Sequence, residues 1–182
     1  MSINKRIALF FSVFLLVSYS SACANSENER DDKEVNEGVQ IDLEAPDDFD
    51  FSLNYGPYGI QKVDTFEEIV IKDLVENGVA EANISLSTNE MNRIYSEMIK
   101  IDIMQIREGD AVDDGVECVS EPPIVTEWTV QMNDETNSFS FDVLCEESEV
   151  VSDLKELEWL IHEMVASKDE YKELPEPVGF YE

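Results

Sequence analysis

Apolar residues in this chain recur at two spacings, and the switch between them limits the fold more than any other feature. Phe49, Phe51, Leu53 and Tyr55 alternate with Asp50, Ser52 and Asn54, the pattern of a strand with one buried and one wet face. Thr65 to Leu74 carries the β-branched run Ile69-Val70-Ile71, and Ala80, Ala82, Ile84 and Leu86 alternate again. Gly56-Pro57-Tyr58-Gly59 and Glu76-Asn77-Gly78 separate these strands as turns. At Ser87-Thr88-Asn89-Glu90 the period changes. The Ser87 hydroxyl and Glu90 carboxylate form a capping box, flanked by Leu86 and Met91 as a hydrophobic staple. Met91, Ile94, Tyr95, Met98 and Ile99 then recur at helical spacing, which predicts a helix to about Ile101.

The pattern repeats once. Thr126, Trp128, Val130 and Met132 share one face of a strand, and Phe139, Phe141, Val143 and Cys145 share one of the next, with 133–137 as the turn. Val150, Leu154, Leu157, Ile161, Met164 and Val165 then mark a helix from about Glu149 to Ser167, with Ser148 as its cap. The tail holds Tyr171, Leu174 and Phe180-Tyr181, aromatics expected to pack back on the domain. The order βββ-α-ββ-α predicts an α+β domain: an antiparallel sheet of about five strands with two helices packed on one face.

Ahead of this single domain (49–182) the chain is of another kind. Residues 1–22 read as a lipoprotein signal peptide: Lys5 and Arg6 precede the apolar stretch Ile7 to Val17, and Ser20-Ser21-Ala22 supplies small residues for cleavage. Bacterial lipoproteins are cut before a cysteine in a Leu-(Ala/Ser)-(Gly/Ala)-Cys box. Ser21-Ala22-Cys23 matches its last three positions, with Ser20 in place of leucine. Cys23 is therefore the expected site of lipid attachment, palmitate included; cleavage at a small-x-small site with free secretion is the alternative. Residues 23–48 are almost wholly polar and acidic, with nothing periodic to bury, and read as a disordered tether. The expected location is the extracytoplasmic face of a bacterial cell membrane.

Of three cysteines, acylation of Cys23 leaves Cys118 and Cys145, which outside the cytoplasm are expected to pair. The loop closed is about 28 residues, worth at most ~3.6 kcal/mol by the chain-entropy model. Two buried free thiols are the other reading.

The chain carries 12 basic and 42 acidic residues, net −30. Loss of Lys5 and Arg6 with the signal makes the mature chain net −32. Nucleic acid is excluded as a partner, since phosphates are repelled and no basic patch releases counterions. Anionic lipid headgroups are equally poor partners, so the acyl group has to do the anchoring. A cationic protein or a divalent cation is compatible with the charge, as is simple solubility in a salty medium. A monomer is expected.

Little in the sequence points to chemistry. Asp110, Asp114, Gly115 and Glu121 fall at positions one, five, six and twelve of a calcium loop. Val112 at position three is no ligand, and Pro122-Pro123 forbids the exiting helix, so the segment is read as a solvated loop with Asp110, Asp114 and Glu121 as the nearest approach to a metal set. His162 is the sole histidine, expected at a helix surface beside Glu158. Phe51, Tyr55 and Tyr58 form either a recognition lip or one end of a sheet. No catalytic residue and no cofactor is assigned.

Phe51-Ser52-Leu53-Asn54-Tyr55-Gly56, Thr65-Phe66, Ile71-Lys72-Asp73-Leu74-Val75, the strand-cap-helix unit from Ile84 to Met98, and the ending Ser167-Lys168-Asp169-Glu170-Tyr171-Lys172-Glu173-Leu174-Pro175 together resemble small uncharacterised lipoproteins of Bacillus-like bacteria. The resemblance implies an exported, membrane-tethered domain and brings no site with it. Its expected role is a non-enzymatic binding domain; an inhibitor of a basic secreted protein, or a divalent-cation-binding module, is the alternative.

Overall fold

The computed structural model describes residues 43–107, 110, 120–142 and 148–181. Among them, six strands form one antiparallel sheet: β1 (Asp50–Tyr55), β2 (Gln61–Asp64), β3 (Ile69–Asp73), β4 (Val79–Asn83), β5 (Val125–Met132) and β6 (Glu135–Asp142). Their spatial order is β4-β3-β2-β1-β5-β6, so the first hairpins run outward on one side of β1 and the later hairpin flanks the other. Helices α1 (Thr88–Lys100), α2 (Glu149–Ala166) and the single turn α3 (Asp169–Lys172) complete the α+β fold.

One face of the sheet is apolar because register lines up the inward positions. Leu53 pairs with Val63 on one side and Trp128 on the other, Val63 with Val70, and Trp128 with Phe139. These side chains share one core with Ile94 and Met98 of α1 and Leu154, Leu157, Ile161 and Val165 of α2. Both long helices therefore lie on the same face. The opposite face presents Ser52, Asn54, Glu127, Thr129 and Ser138, where Asn54 donates to Glu127 and the Thr129 and Ser138 hydroxyls meet at 3.1 Å. The two tryptophans are placed very differently: Trp128 is 1 % exposed and Trp159, on the outer side of α2, is 66 % exposed.

Local chemistry sets the element ends. Ser87 accepts from the Glu90 N–H, and Glu90 Oε2 accepts from the Ser87 N–H at 2.8 Å, so the capping box forms as the sequence predicts. Ser148 caps α2 by accepting from the Val151 N–H at 3.2 Å. After α1, Asp102 takes a left-handed conformation and a 3-10 turn (Ile103–Gln105) follows, burying Ile103 and Ile106.

Four details differ from the sequence-based expectation. The sheet has β2, whose four residues contain one apolar side chain, Val63, too little for a periodic signal. Thr65 to Glu68 turns the chain, so β3 starts at Ile69. The β5–β6 turn is two residues, not five. Asn133 and Asp134 both adopt positive φ, as a type I′ turn requires, and Glu135, Thr136 and Asn137 already pair with β5. Asp48 secures that turn, its carboxylate accepting from the Asp134 N–H at 2.6 Å and the Asn133 N–H at 3.0 Å. Leu43 and Ala45, in the stretch read as tether, donate to Ser96 Oγ and Asn92 Oδ1 of α1.

Candidate functional site

At one end of the sheet the inward face turns from apolar to polar. Tyr55 ends β1, Gln61 opposite it opens β2, Lys72 lies near the end of β3, and Thr126 is second in β5. Each sits where alternation aims a side chain at the helices. Facing them are Glu158 and His162, one turn apart on α2, and Tyr171 on α3. Polar groups beneath helices need partners, and the structure provides them.

The Tyr55 hydroxyl lies 2.9 Å from His162 Nδ1. Burial holds the imidazole below its ordinary 6.5, against an opposing pull from Glu163. Burial, with Tyr171 and Glu158 nearby, raises the Tyr55 phenol well above its ordinary 10.0. The pair is thus a neutral phenol and a neutral imidazole sharing one hydrogen bond, whose donor is set by the tautomer of the ring. The imidazole meets the Tyr171 ring edge-on at 6.2 Å and 87°, and the Trp159 ring at 6.1 Å. Next to it, Glu158 Oε2 accepts from Thr126 Oγ1 at 3.4 Å, and burial raises this carboxyl above its ordinary 4.5.

Lys72 is the cation of this layer. Its side chain is 8 % exposed, and its Nζ lies 5.1 Å from the centre of the Tyr171 ring. Its carboxylate partner, Glu176, is 3.4 Å away on a side chain that is 83 % exposed. The tail passes over this end as a strap. Val178 bridges Val75 in parallel, donating to Leu74 O and accepting from the Glu76 N–H. Gly179 has φ +88°, and a Cβ there would lie 2.5 Å from the Glu76 carboxyl, so glycine is what lets the strap lie close. Tyr181 then donates to Asp73 Oδ2, an acceptor bond that pushes the phenol up to about 12, and meets the Tyr58 ring edge-on at 5.8 Å. Between strap, sheet end and α2 lies a cavity of about 610 Å³ that Gln61, Lys72, His162, Tyr171, Glu176 and Tyr181 help to line.

The structure corrects one expectation here and decides between two readings of another feature. His162 is paired with Tyr55, not with Glu158, which turns to Thr126 instead. Phe51 and Tyr55 are core, while Tyr58 is half exposed, so the three do not make one lip. Cys23, Cys118, Cys145 and Asp114 lie outside the described residues. Asp110 closes a local turn, its Oδ2 accepting from the Arg107 N–H at 2.7 Å, and Glu121 is exposed. Among the described residues no group of three or more His, Cys, Asp or Glu side chains is placed to hold a metal ion. Lys72 is the residue of this candidate site that sequence reasoning misses. Its signal is alternation: two positions after Val70, a lysine falls on the buried side of a strand. No protein-family model and no curated protein matches the chain.

Proposed function

We propose that this protein is a lipid-anchored lipoprotein of the extracytoplasmic face of a bacterial membrane, whose folded domain binds a ligand without transforming it, in the cleft beneath the tail strap. The tether rests on the sequence alone: an export signal, a small-residue cleavage box ending in Cys23, and an acidic spacer before the domain. The binding role rests on the Tyr55–His162 pair. Phenol and imidazole are both held neutral and are tied to each other at 2.9 Å, so the pair offers hydrogen-bonding capacity and ring faces without a charge. The buried Tyr55 phenol is in turn far from ionising. Such groups recognise a ligand through hydrogen bonds and ring faces, as a cleft with few convergent polar groups does.

Growth of the native host on labelled palmitate tests the anchor. The wild type takes up label and stays with the membrane fraction, whereas Cys23→Ser takes up none. An unlabelled, freely released wild-type protein would sink the tether. For the cleft, compounds that raise the melting temperature of the mature protein should be recovered chemically unchanged after long incubation, and recovery of a converted product overturns the non-enzymatic reading.

A further inference from the structure

We infer that the cleft is a receptor for a single carboxylate, taken up by Lys72 in exchange for Glu176. The inference rests on the reading that this cleft is the binding site. An ammonium carries three donors and is costly to remove from water unless its charge is met. Lys72 is nine-tenths buried, yet the one carboxylate within ion-pair distance among the described residues is Glu176, 3.4 Å away and itself mostly in solvent. A contact of that length to an exposed side chain contributes little, so its loss is easily tolerated. Glu176 therefore acts as a stand-in: it meets the charge when the cleft is otherwise empty and swings into water when another carboxylate arrives.

The other lysine and the aspartate of the cleft are already engaged. Lys172 Nζ donates to Ser167 O and approaches Asp169 at 3.6 Å. Asp73 accepts from the Val75 N–H and from Tyr181. Of the two lysines on the cleft, Lys72 is thus the one with donor capacity to offer, and the His162 ring lines the same cavity. One lysine matches one negative charge. Asp73 and Glu176 nearby, and a chain of net −30, repel dianions, which favours a carboxylate over a phosphate. The rings of Tyr171 and His162 suit an uncharged aromatic or apolar body. A free organic acid and a peptide carboxyl terminus share this chemistry.

The test titrates the intact mature protein, by NMR and calorimetry, with benzoate, benzamide, N-acetyl-alanyl-alanine and its amide, and inorganic phosphate. Each acid is expected to bind about tenfold or more tightly than its amide, the difference a charged hydrogen bond makes. Which acid binds better separates the free acid from the peptide terminus. Lys72→Met keeps the stem and removes the charge, and abolishes acid binding. Glu176→Gln, at an exposed position, removes the competitor and tightens acid binding several-fold. Amides binding as well as acids, phosphate binding more tightly than benzoate, or Glu176→Gln weakening the acids each overturns the carboxylate inference. The first of these leaves the cleft-binding reading standing; silence from every probe overturns both.

Discussion

Glu158 and His162 sit one helical turn apart, and burial moves them in opposite senses on the pH scale. The His162 pKa in the folded state is below its ordinary 6.5, so the unfolded chain takes up a proton first as the solution is acidified. Its contribution to stability is full above about 6.5 and is lost as pH falls from there through the folded value. Wild type should therefore lose melting temperature relative to His162→Gln, which can still hydrogen-bond Tyr55, as pH drops from 7.5 to 5; a constant difference would show that folding does not shift the titration of the imidazole. Glu158 has its folded pKa above the ordinary 4.5, so it favours folding below that value and disfavours it as pH rises through the folded one. Glu158→Gln, still able to accept from Thr126, should raise the melting temperature at pH 7, by an amount that shrinks toward pH 4.5. Tyr55→Phe leaves His162 Nδ1 without its hydrogen-bond partner and should cost about 1 kcal/mol in denaturant unfolding. The inward positions of Tyr55 and Lys72 are legible from alternation. The partner of His162 is not: it lies 107 residues away in sequence, and only the register of β1 against the rest of the sheet brings it near.

The elements owe their ends to single groups, and those are the most readable parts of the sequence. Ser87→Ala removes the acceptor for the Glu90 N–H and should cost about 1 kcal/mol by chemical denaturation. Glu90 itself shows why that cap holds. Burial pushes its carboxyl up, but the Lys168 ammonium at 2.6 Å and the Ser87 N–H and hydroxyl outweigh it and bring the pKa below its ordinary value. The β5–β6 turn is legible in place and not in length, because polar Glu135, Thr136 and Asn137 look like loop until pairing with β5 is known. With Asp134 at φ +62°, Asp134→Gly should gain about 0.5–1 kcal/mol, read as a higher denaturant midpoint at unchanged slope. Strand β2 escapes notice for a related reason. A four-residue strand between two others is held by its neighbours' hydrogen bonds, not by a pattern of its own.

Across the whole molecule, charge is the largest influence on how conditions alter stability. A chain of 42 acidic and 12 basic residues repels itself when compact. Raising sodium chloride from 20 mM to 0.5 M should lift the melting temperature by roughly 3–5 °C through screening; no change would mean that the acids lie too far apart to interact. That the helices share one face and the sheet is antiparallel follows from the order of the elements and the short connections between strands, whereas the polar layer at its end requires the tail to fold back over it. Finally, the contrasting positions of Trp128 and Trp159 give the protein two independent optical probes. The indole on α2 is open to acrylamide and emits toward the red, while the one at the centre of the sheet is shielded and emits toward the blue until the chain unfolds. Collisional quenching of intrinsic fluorescence can thus follow events on the helical surface separately from loss of the fold, with no label attached.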